Sequence, residues 1–283
     1  MTVTARRRAG SRSVRLDRSL EALPLFRLSD SADDGVISYA DGVGARWRVI
    51  PSPGDRLPGT FDQDVYVELL RRYQEAGEPA DGAVSFTLHA FLRGMGRMVD
   101  GRTYEQLRGA LARLERTALE STGIYRAAAT DSCPDLRFTL LTSVTVERRR
   151  GLDREQLQLF SAMATGEPGD ARVVLASAVR ENLAANHAIS ISAARYWSLG
   201  SPVARRLYRL LEVARADGRL AWRVALDQLA GQLPLAQRYP SHLQRVLQPA
   251  HDMLVAQGVL RNAAVRQQRR EWFVDYVLGS RPL

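Results

Sequence analysis

GRTYEQLRGALARLERTAL, residues 101–119, has two faces that ask for different partners. Thr103 followed by Gln106 is a capping-box pattern, hydroxyl and amide each satisfying an orphan backbone N–H, and it predicts a helix that starts near Tyr104. At the helical period Tyr104, Leu107, Leu111, Leu114 and Ala118 fall on one stripe, the spacing that buries a helix against a core. The opposite face holds Arg102, Glu105, Gln106, Gly109, Ala112, Arg113 and Arg116. Gly109 costs roughly 1 kcal/mol against Ala inside a helix, yet with Ala112 it would let this face approach a second surface closely, such as the major groove of DNA. Most amphipathic helices are merely solvated on their polar side, so the rest of the chain has to decide.

Composition narrows the chemistry. At 283 residues the chain is long enough for two domains, each with its own core. No stretch approaches a membrane span and no signal-peptide pattern follows the first basic residues, so the expected location is cytoplasmic. The single Cys133 fits a reducing compartment and offers neither an internal disulfide nor a thiolate metal site. A net charge of +9 and a pI near 10.3 point to a polyanionic partner, nucleic acid ahead of membrane because no long basic amphipathic segment stands out. All 40 basic residues are Arg and none is Lys, which removes the P-loop, protein-kinase and Schiff-base lysines together. A GC-rich coding bias explains that usage more simply than selection does; either way, the guanidinium forks suit phosphate and guanine.

Arg6, Arg7, Arg8, Arg12, Arg15 and Arg18 lie among small polar residues, so residues 1–20 are expected to be a flexible, disordered basic arm, phosphate-seeking or merely solubilising. VISYA and ARWRVI around Asp41-Gly42-Val43-Gly44 predict a β-hairpin. A helix over 62–75, the short strand VSFTL, a helix over 88–98 and the helix of 103–119 follow. Then come two β-prone runs, GIYRAAA and LRFTLLTSVTVE, joined through 130–134 with Arg126 and Arg137 near the arms. Helix, short strand, helix, capped helix, hairpin is the order of a winged helix, whose third helix enters the groove and whose hairpin is the wing. Arg148, Arg149 and Arg150 open a connector with one helix near Gln156–Ala162 and a breaker at 166–170. The expected division is therefore a linker over 151–172, between an N-terminal domain of 21–150 and a C-terminal domain of 173–283.

The second half repeats the order. Helix over 174–185, strand over 188–192, helix over 202–215, strand over 220–224, short helix over 226–233 and long helix over 239–257 precede two strand-like arms, 259–265 and 271–278. On the long helix Leu243, Val246, Leu247, Ala250, Met253 and Leu254 face inward, and Pro249 is expected to bend or split it. Outward lie Ser241, Gln244, Arg245, Gln248 and Asp252, side chains that can read base edges. His242 and His251 are expected on its surface flanks. Arg266, Arg269 and Arg270 mark the tip of a second wing. The fold class read from the sequence is α+β: two tandem winged-helix domains joined by a linker, behind a disordered basic arm.

Several stretches resemble a known family: PLF at 24–26, the hairpin ending at Pro51, FDQDVYVELL at 61–70, GRTYEQLRGALARL at 101–114 and SPVARRLYRLLE at 201–212. Together they are similar to the plasmid replication initiator protein A family, related in architecture to iteron-binding initiators with two winged-helix domains. The resemblance covers most of the chain, and its last two stretches are the most specific. It implies a protein that binds double-stranded DNA at origin repeats of a plasmid or secondary replicon, helps open adjacent AT-rich DNA and recruits the host replicative helicase. It also implies autoregulation by a homodimer.

Other chemistries find little support. Initiators that nick DNA use a tyrosine and a metal held by paired histidines, but His89, His187, His242 and His251 show no His-x-His spacing. No nucleophile-elbow pattern is present either. No catalytic residue, metal or cofactor is therefore expected. The competing reading is a winged-helix transcriptional repressor without origin function; a segregation adaptor is a weaker third. The residues expected to meet DNA are Arg102, Thr103, Gln106, Gly109, Arg113 and Arg116, then Ser241, Gln244, Arg245 and Gln248, and on the wing Arg266, Arg269 and Arg270.

Overall fold

In the computed structural model, which describes residues 13–28, 35–147, 170–235 and 239–280, the chain opens with strand β1 (Ser13–Asp17) and helix α1 (Arg18–Ala22). A hairpin of β2 (Ile37–Ala40) and β3 (Arg46–Ile50) comes next. A first unit consists of α2 (Thr60–Glu75), β4 (Ala83–Thr87), α3 (Leu88–Gly94) and α4 (Gly101–Arg116), then, after β5 (Ala118–Thr122) and β6 (Leu136–Phe138), strands β7 (Leu141–Val146) and β8 (Asp170–Leu175). Helix α5 (Ser177–Ala184), β9 (Ala188–Ser192) and α6 (Ala193–Ser198) lead into a second unit. It comprises α7 (Pro202–Ala216), β10 (Ala221–Ala225), α8 (Leu226–Gln232), α9 (Pro240–Ala256), β11 (Leu260–Gln268) and β12 (Glu271–Leu278).

The two units match element for element. Their antiparallel sheets have the orders β4-β8-β7 and β10-β12-β11, so in each the short strand before the helix pair lies beside the last strand. Helices α2 and α7 run 16 and 15 residues, α3 and α8 seven each, and α4 and α9 16 and 17. Likeness without residue repetition is what patterning allows, since period and turn chemistry rather than identity specify such a plan. In α7, Ser201 caps the first turn and Pro202 begins it, both suited to a helix start. Gly94 ends α3 against α2, where a Cβ would collide with the Glu68 carboxylate.

The chain departs from its sequence reading at several places, among them the end of the capped helix, expected at Leu119 but found at Arg116, with Ala118 and Leu119 in β5. GIYRAAA and LRFTLLTSVTVE do not form one hairpin. Leu136–Phe138 joins the sheet β2-β3-β5-β6, while Leu141–Val146 pairs with Asp170–Leu175 in the next sheet. Leu140 and Leu141 are both buried, which breaks the alternation and moves the run from one sheet to the other. The stretch expected as linker therefore joins two paired strands of the first unit, its last residues, 170–172, lie within β8, and the units part after Leu175. Arg148, Arg149, Arg150 and the helix expected at 156–162 lie outside the described residues, as do 1–12 of the basic arm. The remainder of that arm is not loose: Val14, Leu16 and Asp17 are buried, and β1 pairs antiparallel with β9. Finally, α9 runs unbroken through Pro249.

Segment 13–28 ties the units together. On its free edge β1 meets not a strand but the Gln74 amide, which accepts from Arg15 N at 2.9 Å and donates to Arg15 O at 2.7 Å. Behind it, Asp17 caps α1 and accepts from the Tyr125 hydroxyl at 2.6 Å and from Asn182 at 3.1 Å. The Glu21 carboxylate receives Arg209 at 2.9 Å and Arg206 at 3.2 Å, all three buried. Arg206 also donates to the carbonyls of Glu21 and Leu23, and Arg209 to Gln63 of α2. Burial, with Arg209 alongside, lowers Arg206 to about 10, so it stays charged at neutral pH.

Candidate nucleic-acid interface

Helix α4 buries Leu107, Ala110, Leu111 and Leu114 and starts at Gly101, three residues before the expected Tyr104. Its cap is Asp100, whose carboxylate accepts from Thr103 N at 2.8 Å while the Thr103 hydroxyl accepts from Asp100 N at 3.1 Å. Thr103 is thus the reciprocal partner of the box, and Gln106 is released to solvent. Hydrogen bonds from Thr103, the backbone one first, hold the Asp100 carboxyl below the ordinary carboxylate range. A fixed negative charge at this helix end opposes the approach of phosphate.

The other expected contacts on α4 part company with these. Arg113 turns back to buried Asp62, 2.9 Å away. The Arg113 guanidinium lies over Gly109, where a Cβ would meet it at 3.3 Å. Arg116 is exposed but sits 14 residues from Arg102, about 21 Å along the axis, beside Asp55 at 3.6 Å. Arg102, Thr103 and Gln106 lie in the first two turns of α4, and Arg113 and Arg116, in its last turns, are engaged by Asp62 and Asp55. The first-unit arginines expected on hairpin arms are paired too, Arg126 with Asp131 and Arg137 with Glu120.

Helix α9 is different at its start. Its N-cap, Tyr239, supplies no side-chain acceptor, Pro240 follows, and no acidic residue lies in the first turn. An uncapped helix N-terminus carries free N–H groups and a positive dipole end, both favourable to phosphate. Ser241, Arg245 and Gln248 are exposed along one side, with Gln244 half-buried and Gln248 donating to Asp252 at 2.9 Å. Arg245 has no ion pair among the described residues. Tyr239, 72% exposed, stands edge-on to His242 at 5.9 Å. Sequence reading passed over Tyr239 as a contact; Pro at the first helical position, which places its neighbour at the tip, was the available signal.

His251, expected on the surface, is buried at 2% exposure with its ring nitrogen 3.0 Å from the Tyr276 hydroxyl. Burial lowers it to about 4. Beyond α9, Arg266, Arg269 and Arg270 are exposed on the β11–β12 hairpin, and Arg269 sits at φ +57° in its turn. Asp275 lies 3.6 Å from both Arg266 and Arg223, while Arg269 and Arg270 make no ion pair among the described residues. Among the described residues no helix is long and apolar enough to cross a membrane.

Comparison with known proteins bears on this arrangement. A family model described as Replication initiator protein A matches residues 15–248. No curated protein matches the chain. Domains 2 and 3 of RctB are similar with a TM-score of 0.58 at 14% identity, over 94% of this chain and 100% of that one. The Pi initiator protein, solved in complex with iteron DNA, gives 0.53 at 11% identity, over 96% and 100%. At such identities the likeness is one of fold.

Proposed function

The chain belongs to the replication initiator protein A family, and we propose that it binds double-stranded DNA at repeated sites of a plasmid or secondary-replicon origin through two winged-helix units. The observation that carries this reading is the plan laid down twice, each time with a long helix, α4 or α9, exposed at its start. In this reading the two helices enter successive major grooves on one face of the duplex. Arg102, Gln106, Ser241, Gln244, Arg245 and Gln248 address bases, and Arg266, Arg269 and Arg270 hold phosphates. Opening of adjacent AT-rich DNA, recruitment of the host helicase and autoregulation as a homodimer are part of the same proposal, with family membership as their support. The reading makes the protein a binding protein that acts without a bound cofactor.

The test is a footprint of the purified protein across the non-coding DNA flanking its gene, with competitor DNA present. Several protected direct repeats beside an AT-rich tract are expected. One protected inverted repeat over the promoter would make the protein a repressor instead, and an array confined to a centromere-like region would make it a segregation adaptor.

A further inference from the structure

A cleft of about 370 Å³ opens where the two units meet. One wall is the turn between α3 and α4, with Arg93, Gly94, Gly96 and Arg97; the other is Trp197 of α6 and Arg205 of α7. Asp64 serves its arginines, while the Glu68 carboxylate behind Gly94 is taken by Arg71 and Arg72. Asp64, buried on α2, accepts from Arg97 at 2.9 Å, from Arg205 at 2.5 Å and from the Tyr196 hydroxyl at 3.0 Å. Arg93 is exposed and makes no ion pair with any described residue. The guanidinium groups of Arg93, Arg97 and Arg205 therefore meet carboxylates already engaged, Asp64 by Arg97 and Arg205 and Glu68 by Arg71 and Arg72. Arg205 is further held over the rings of Tyr196 and Trp197, each 5.5 Å from its guanidinium carbon, and Arg97 over Phe61 at 5.6 Å. Rings on the flanks fix the forks in place and limit their hydration, the state in which arginine binds an oxyanion well.

Position identifies the anion. Gly96 turns the chain at φ +67°, Arg97 is four residues ahead of Gly101, and the cleft thus borders the exposed start of α4. We propose that this cleft is a phosphate site that grips the DNA backbone where it crosses from one unit to the other, with Arg93 and Arg97 as the contacting side chains and Arg205 as the positioning one. The inference rests on the duplex-binding reading above. It adds a contact that belongs to neither helix nor wing and that exists only while the units stay joined.

The experiment uses the full chain and duplexes containing the footprinted site. Affinity is measured against salt for wild type, Arg93→Ala, Arg97→Gln and the double variant, with ethylation interference mapping the phosphates. Each phosphate left without its arginine should lower the slope of log K against log salt by about 0.9, equally on specific and random duplex, and interference midway between the two contacted grooves should vanish. Arg93→Ala removes no described ion pair, so its result does not depend on altered folding; a thermal melt covers Arg97→Gln. Unchanged slope and unchanged interference in the double variant would overturn the site while leaving the duplex-binding reading intact. Failure of wild type to bind any duplex would remove both. Inorganic phosphate that competes for the cleft without any change in DNA slope between variants would assign the site to a free phosphate, against the proposal.

Discussion

Arg113 and Arg245 both stand on the polar side of an amphipathic helix, and their surroundings send them to opposite ends. Asp62 across the helix interface claims Arg113, and nothing in the periodicity of α4 announces a carboxylate 51 residues earlier in the chain. Arg245 meets no such acceptor among the described residues. Arg245→Ala should lose about 1–3 kcal/mol of binding with relaxed preference at one base pair, if guanine is its partner; titration against single-base variants of the site checks this, and equal loss on every duplex would make Arg245 a phosphate contact. His251 bears on stability. Its folded value, about 4, lies below the ordinary 6.5, so between these limits the unfolded chain holds the extra proton. Its contribution is present above pH 6.5 and is lost as pH falls toward 4, at up to ~1.4 kcal/mol per unit. Relative to His251→Gln, wild type should therefore gain stability as pH rises through that window, measured by urea unfolding. Asp17 works the other way. Burial lifts its carboxyl to about 7 against the opposing hydrogen bonds, so its contribution is complete below the ordinary carboxylate value and lost as pH rises to 7.

The long helices were legible, because a stripe of leucines every three or four residues reports the core without knowing what covers it. Leu107, Leu111 and Leu114 did so, as did Leu243, Leu247 and Leu254, whereas Arg18–Ala22 and Ala193–Ser198 are too short to carry such a stripe. Strands were legible as β-prone runs but not as pairs. The partner of Leu141–Val146 lies beyond residue 169, and pairing at that distance leaves no local mark, whereas Glu271–Leu278 follows its partner at once across a tight turn. That is why the second hairpin was legible and the first was not. For the second, Arg269→Ala with Arg270→Ala should weaken binding to all sequences alike and flatten the salt slope by about one unit for every phosphate no longer neutralised. A slope equal to wild type in fluorescence-anisotropy titrations would take the hairpin out of the interface.

At the scale of the whole molecule, the tandem plan was visible and the join was not. Residues 13–20 look like the end of a basic tail in sequence, because β1 is short and Arg15 and Arg18 stand among small polar residues. Arg15, however, is spent on Glu78, Leu183 O and Asn186, and Arg18 on Asp217. Glu21→Ala would leave Arg206 and Arg209 buried without their counter-charge, a loss of about 3–5 kcal/mol. Denaturant unfolding followed separately near each unit should show it as a lower midpoint; no change would mean that water replaces the carboxylate. The pairing of β1 with β9 joins Ser13 to Ser192, and this span has a meaning for synthesis. At ~5–20 residues per second the first strand leaves the ribosome ~10–35 s before its partner exists. Leu16 and Leu20 stay without their final cover for that interval, so late closure of this contact is the step that slow translation would expose.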